Sequence, residues 1–191
     1  MYKNYLVPLQ IFLILEKTNI NFFFSNKNYF NSYNIFLNSK KNIQLSYILK
    51  NELFLNESSL IENSALDLKY YNNISEYNYI FKKYKNIIFY NYQIYSSKIK
   101  LFIYFFYNLN KNSKINSLDR IFPNANWIER ETSEMYGIYF SNKKDHRKLM
   151  LDYSINENPL SKSYPLEGNR QLFFSFFENQ VIAQNNKYIE I

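Results

Sequence analysis

Three carboxylates fall within six consecutive residues of the stretch "NWIERETSEMYGIYF", residues 126–140: Glu129, Glu131 and Glu134, with Arg130 between the first two. Carboxylates at this spacing support three kinds of chemistry. Paired as acid and base they can hydrolyse a glycosidic bond. Satisfied by an arginine and by backbone donors they make a polar anchor against another segment or a partner subunit. Left in water they are the ordinary ion pairs of a solvated helix. The same stretch carries the chain's sole tryptophan, Trp127, and one of its two glycines, Gly137.

Spacing predicts a helix from Trp127 to Tyr136, capped by Asn124 or Asn126 and ended by Gly137 in the left-handed conformation. On it Ile128, Glu131, Thr132 and Met135 fall at i, i+3, i+4 and i+7 and share a face, which sets Glu131 on an otherwise apolar stripe. A carboxylate there needs a donor, which Arg147 or a residue of another chain can supply. Arg130 and Glu134, four apart, can pair, and Glu129 is expected to turn towards solvent. Nothing else in the sequence favours catalysis: there is no Gly-rich phosphate loop, no serine elbow and no histidine beside a nucleophile. The single histidine, His146 in "KKDHRKLML", reads as an exposed member of a basic stretch, and Asp152 with Tyr153 as turn chemistry.

The elements that must position these residues are read from the pattern around them. Residues 86–108, "NIIFYNYQIYSSKIKLFIYFFYN", hold two aromatic and β-branched runs either side of Ser96 and Ser97, which predicts a long antiparallel hairpin. Residues 5–17 read as an amphipathic helix, 20–24 as a short strand, 28–50 as strands and turns, and 58–68 as a capped helix start or a helix-to-strand passage. "SLDRIF", 117–122, reads as a short helix capped by Ser117 and stopped by Pro123, and "IYF" at 138–140 as a brief strand. From Ser141 to Gly168 no period persists. With Pro159 and Pro165 stiffening it, this is a path too long for an ordinary loop, and such a segment is ordered by lying on something else. Two short strands are expected in "LFFSFFENQVIA" near the end.

Composition narrows the class. A chain of 191 residues supports one domain with an extension. Thirty asparagines against two glycines, four prolines, three alanines and four arginines point to an extremely A/T-rich, organellar-type genome, so most of the asparagine needs no functional reason. The net charge of +7 invites nucleic-acid binding, as in a basic organellar ribosomal or RNA-binding protein. The excess, however, is scattered over residues 1–118, and lysines such as Lys98 and Lys100 alternate with apolar residues as on a solvated strand face. Zero cysteine excludes disulfides, thiol catalysis and iron–sulfur ligation by this chain. The apolar runs at the N-terminus and at 101–107 are shorter than a membrane span. Residues 119–170 hold both glycines, three of the four prolines, the tryptophan, the histidine and all four arginines, which marks this segment as the one making demanding contacts.

Residues 117–168, "SLDRIFPNANWIERETSEMYGIYFSNKKDHRKLMLDYSINENPLSKSYPLEG", resemble the signature region of the thirty-kilodalton subunit of respiratory complex I. The matching elements are Glu129, Arg130 and Glu131, the acid Glu134, Met135 with Tyr136, Lys143, Arg147, and Leu149 with Met150, after a "SL…FP.A.W" lead. The match is close over about fifty residues; "SLIENSALDL" and the hairpin agree in order only. Family members typically have His-Pro at Lys143 and Lys144, and "GF.GHPLRKDFPLSG" where this chain has "SINENPLSKSYPLEG". Pro159, Leu160, Lys162, Pro165, Leu166 and Gly168 keep the outline of that tail.

The resemblance implies an α/β domain over 1–140, a mixed β-sheet with packed helices, followed by an extended C-terminal segment over 141–191 that clasps the neighbouring forty-nine-kilodalton subunit. It implies a non-catalytic subunit of the quinone-reducing module of the matrix arm, at the mitochondrial inner membrane. The complex passes electrons from NADH to ubiquinone and pumps protons, with FMN and iron–sulfur clusters on other subunits and no cofactor or nucleic acid on this chain. Trp127, Glu129, Arg130, Glu131, Glu134, Met135, Tyr136, Gly137, Arg147, Pro159 and Pro165 are then structural and interface residues.

Overall fold

The computed structural model describes residues 23–25, 32–38, 41–51, 58–69, 85–95, 98–107 and 115–186. The strands are β1 (Phe23–Ser25), β2 (Ser32–Asn38), β3 (Ser58–Asp67), β4 (Asn86–Ile94), β5 (Ile99–Tyr107), β6 (Ile115–Asn116), β7 (Phe140–Ser141), β8 (Arg170–Ser175) and β9 (Gln180–Asn185). The helices are α1 (Asn42–Asn51) and α2 (Ala125–Tyr136). The expected helix at 5–17 lies outside the described residues.

The fold is α/β. Its main sheet runs β1-β2-β5-β4-β3, with β2 parallel to β5 and the other pairs antiparallel. The hairpin read from residues 86–108 forms its centre, paired without a break from Asn86 opposite Tyr107 to Ile94 opposite Ile99. Ser96 and Ser97 lie outside the described residues, and Lys98 closes the turn at φ +54°, the left-handed geometry that an Asn-Gly turn would otherwise supply.

Side chains alternate across strands, and the core follows that period. Ile88, Tyr90, Tyr92 and Ile94 of β4, Ile99, Leu101, Ile103 and Phe105 of β5, and Ile35 and Leu37 of β2 are buried on the face that meets α1 and the 115–122 segment. Each such side chain contributes about 1.5–3 kcal/mol on burial. Lys98 and Lys100, on either side of the buried Ile99, are exposed as expected.

Three expectations are corrected. Residues 42–51, within the stretch read as strands and turns, form helix α1. Its inward face alternates Leu45 and Leu49 with the fully buried Asn42 and Ser46, which hides the apolar period. Asn42 donates its amide to the Asn116 carbonyl at 2.6 Å, and Ser46 bonds both the Asn42 carbonyl and the Tyr92 hydroxyl, so the Asn42 N–H and the Ser46 hydroxyl are satisfied where they are buried. Residues 58–67 are strand rather than helix, with a bulge between Leu60 and Glu62 that breaks the alternation. Residues 117–122 form turns: Ser117 receives the Asp119 N–H but caps no helix, and Leu118, Ile121 and Phe122 drop into the core.

Helix α2 lies against β3, an edge of the sheet. An edge strand leaves backbone groups unpaired, and α2 takes two of them. Asn124 donates its amide to the Leu60 carbonyl beside the bulge, and Thr132 its hydroxyl to the Asn63 carbonyl at 2.8 Å. The N-cap prediction for Asn124 is thereby half right. It occupies the N-cap position, but its side chain is spent on β3 and makes no cap bond. No helix among the described residues is long and apolar enough to cross a membrane.

Candidate functional site

In an α-helix successive side chains are about 100° apart, so Glu129 points one way and Arg130 and Glu134, four apart, share a neighbouring face. Each reaches a successive station of the segment that follows β7.

Glu129, fully buried, faces the core. Its carboxylate receives the Leu118 N–H at 2.8 Å, the Ser117 hydroxyl, and the Lys143 ammonium at 3.2 Å. Lys143 is itself buried, so the pair is a desolvated ion pair closing the start of the extended segment onto the helix. Burial pushes the Glu129 carboxyl above the ordinary range, opposed by Ser117, Leu118 and Lys143. The same negative charge, after burial itself, helps raise the hydroxyl of Tyr92 and that of Tyr90.

Arg130 donates from Nε to the Arg147 carbonyl at 2.8 Å and from one terminal nitrogen to the Lys148 carbonyl at 3.0 Å. Its other terminal nitrogen lies 3.6 Å from Asp145, and its guanidinium stands over the Trp127 ring at 5.5 Å. A planar fork suits this simultaneous grip on two carbonyls and a carboxylate; a lysine would not. Asp145 in turn takes a bidentate bond from Arg147, at 3.0 and 2.9 Å, and the Arg147 N–H. The Arg147 contacts, with Arg130 adding to them, hold its carboxyl well below the usual carboxylate range.

Glu134 receives three consecutive backbone amides, Leu149 at 3.1 Å, Met150 at 2.9 Å and Leu151 at 2.7 Å. Burial alone would raise its carboxyl, but the three amides together outweigh this and carry it below the ordinary value. Further along, Leu160 donates its N–H to the Met135 carbonyl, and Asp67 at the end of β3 receives Lys162 N–H and the Ser161 hydroxyl. Gly137 ends the helix at φ +70°, as expected from the sequence. A Cβ there would stand 2.7 Å from the Asn158 amide, so glycine also lets the segment pass close by.

The path from Asn142 to Asn169 has no helix or strand, as expected; it runs as a succession of turns and is ordered on α2 and the end of β3 of its own chain. Pro159 and Pro165 are half-buried along it. The Glu129–Arg130–Glu134 set is brought together as an anchor, but the details differ from the spacing argument. Glu131 is exposed, and Glu129, expected at the surface, is the buried acid. Arg130 and Glu134 do not pair, because the backbone of 147–151 offers both better partners. Arg147 pairs with Asp145 rather than with Glu131. Trp127 is 58% exposed, while Met135 and Tyr136 are half-buried, Tyr136 against the core.

Lys143, Asp145 and Asp67 were missed as partners. The signal available was the basic-acidic run "KKDHRK", residues 143–148, just after β7; nothing local pointed to Asp67.

Chemically the arrangement holds rather than reacts. Every oxygen of Glu129 and Glu134 is occupied by a donor of this chain, and Glu131 is exposed, so no two of these carboxylates face a common cleft as an acid–base pair would. A cavity of about 220 Å³ is lined by Arg130 and Arg147, which share Asp145, by Glu134 on its three backbone amides, and by Lys143, Lys148, His146 and Glu157. His146 stacks on Tyr139 at 5.1 Å and faces solvent.

Comparison with known proteins agrees with this scaffold. Residues 35–170 match the family described as "Respiratory-chain NADH dehydrogenase, 30 Kd subunit". The NADH-ubiquinone oxidoreductase subunit 9 of Paramecium primaurelia is 33% identical over 184 residues, 96% of this chain and 87% of that protein. Over a shorter stretch of 68 residues, 36% of this chain and 35% of the relative, the NADH dehydrogenase [ubiquinone] iron-sulfur protein 3 of Marchantia polymorpha is 41% identical. The fold recurs in a chain of an archaeal membrane-bound sulfane sulfur reductase, with TM-score 0.65 over 86% of both chains at 16% identity. It recurs also in a trypsin-resistant fragment of Nqo5, with TM-score 0.50 over 73% of this chain and 97% of that one at 13% identity. The chain belongs to the family of the thirty-kilodalton subunit of the respiratory-chain NADH dehydrogenase.

Proposed function

We propose that this chain is a non-catalytic core subunit of the proton-pumping NADH:ubiquinone oxidoreductase, complex I. It serves structure and assembly in the quinone-reducing module of the matrix arm at the mitochondrial inner membrane. In this reading residues 1–140 are the α/β domain and residues 141–191 the segment that docks on the forty-nine-kilodalton subunit, with flavin and clusters carried by other subunits.

One observation carries the reading. Glu129, Arg130 and Glu134 of α2 fix the 143–151 path, and beyond Gly168 the same segment delivers the β8–β9 hairpin, whose apolar side chains find little cover among the described residues. Leu172 is 70% exposed, Phe176 88% and Phe177 102%. Apolar rings displayed on an anchored hairpin fit the buried core of a subunit interface.

The test is mild-detergent solubilisation of mitochondrial membranes, native gel separation and mass spectrometry of the band holding this chain. Migration with NADH dehydrogenase activity beside the forty-nine-kilodalton subunit is expected. Migration with ribosomal RNA, or as a free chain, would overturn the reading.

A further inference from the structure

The β8–β9 hairpin forms a sheet of its own, and among the described residues no third strand joins it. Two strands alone are marginal in water; a third strand or a packed layer is needed for stability. The register of the pair fixes which backbone groups face outward. Arg170 stands opposite Asn185 and Ser175 opposite Gln180 without a bulge, and one step beyond the ladder the Asn186 N–H meets the Asn169 carbonyl at 3.0 Å. In an antiparallel pair such directly bonded positions recur at every second residue. Gln180, Ile182 and Gln184 therefore turn their backbone groups to β8, while Val181, Ala183 and Asn185 turn theirs outward.

That outer edge of β9 carries none of the usual guards. Edges are ordinarily blunted by lysine, proline, a bulge or an inward charge. Gln180–Asn185 holds no proline and no charged residue, and its pairing is regular. The side chains point the same way. Leu172, Phe174, Val181 and Ala183 share one face by register and are all exposed, and Phe176 and Phe177 stand exposed at the turn. The opposite face sets Phe173 and Ile182 among Gln171, Ser175, Gln180 and Gln184. An apolar face joined to a bare edge is what a strand has when it belongs in a larger sheet.

From this pattern we infer that the hairpin docks by strand addition: the β9 edge pairs with the free edge strand of a sheet in a neighbouring subunit, and the Leu172–Phe174–Val181 face extends that sheet's apolar core. Main-chain bonds supply the grip and alternate side chains the fit. A second copy of this chain suits less well, because two hairpins joined edge to edge give a four-stranded sheet whose apolar face still has nothing over it. A helix laid on that face covers the side chains and leaves the edge bare. Strand addition presupposes the proposed place in a multisubunit complex and supplies the way the hairpin is held there.

One residue separates edge from face. Ala183→Pro removes an outward N–H and no bond to β8, at a position where an edge strand tolerates proline. Ala183→Val keeps that N–H and enlarges the same face. When purified full chain is added back to complex depleted of it, Ala183→Pro should weaken rebinding by at least about tenfold and Ala183→Val by less than about threefold. A cryo-EM map of the wild-type complex is the second measurement and needs no variant: a strand of another subunit is expected beside β9 at about 4.8 Å.

Equal rebinding of Ala183→Pro and wild type would overturn strand addition while leaving the proposed function standing. So would a map in which the β9 edge faces solvent or a helix, or one in which a second copy of this chain supplies the strand. Ala183→Val weakened as much as Ala183→Pro would overturn it in favour of docking by the face alone. A chain that never enters the complex would fail the proposed function itself, which the native gel detects separately.

Discussion

Glu134→Gln tests the anchor most directly. The wild-type carboxylate receives three amides, Leu149, Met150 and Leu151, on two oxygens. The substitution keeps size and shape but leaves one acceptor, and it turns an amide group towards backbone donors that cannot accept from it. At least one N–H, and in most geometries two, loses its partner. A hydrogen bond to a charged group contributes about 1.5–3 kcal/mol, and water reaches the 149–151 stretch, where Met150 is exposed and Leu149 and Leu151 half-buried, so a net loss of about 2–3 kcal/mol follows.

The loss should be local before it is global. Amide hydrogen exchange read by mass spectrometry on the isolated chain should quicken by about 30- to 150-fold at residues 149–151, since each factor of ten corresponds to about 1.4 kcal/mol. The amides of the β4–β5 hairpin should keep their protection. The pH dependence has a definite sign. The Glu134 pKa is lowered in the folded chain, so its contribution is full above the unfolded carboxylate value and is lost as pH falls through the folded one. Wild type and variant should therefore converge on acidification. Exchange at 149–151 unchanged by the substitution at neutral pH would refute the claim that this carboxylate holds the segment.

Lys143→Met leaves the Glu129 carboxylate buried without its cation and should cost about 3–5 kcal/mol in urea unfolding at neutral pH. The Glu129 pKa is already raised by burial and rises further in the variant, so the deficit should narrow as pH falls through that folded value and the acid becomes neutral. Gly137→Ala puts an alanine at φ +70° and a Cβ against Asn158; a loss of about 1–3 kcal/mol is expected in thermal unfolding, with faster exchange near residues 156–160. Glu131→Ala, at an exposed position, should change the stability of the free chain by less than about 0.5 kcal/mol. A larger change would mean that the face assignment of α2 is wrong.

The hairpin was legible because β-branched and aromatic residues run unbroken on both sides of a polar turn, and a period of two survives in Ile99, Leu101, Ile103 and Phe105. The end of α2 was legible too, since few residues other than glycine suit the left-handed position that Gly137 occupies. Helix α1 was not. Asn42 and Ser46 sit on its buried face, and their burial becomes possible only when the Asn116 carbonyl and the Tyr92 hydroxyl arrive from other parts of the chain. Strand β3 was obscured by its bulge, a feature that depends on what α2 places against it.

By itself the sequence marked the stretch that carries the anchor, residues 126–140, which resembles one family's signature and is followed by a segment with no period of its own, but it set the buried acid at Glu131 with Arg147 as the donor. Only the tertiary structure decided which of the acids is buried. Helical periodicity ranks faces by apolar content, and by that measure Glu131 belonged inside and Glu129 outside. The fold reverses them because Ser117, the Leu118 amide and Lys143 converge on Glu129 from outside the helix and satisfy its charge, while nothing comparable meets Glu131. Burial of a charge is fixed by the donors around it, and those are brought there by contacts that no spacing along one helix encodes.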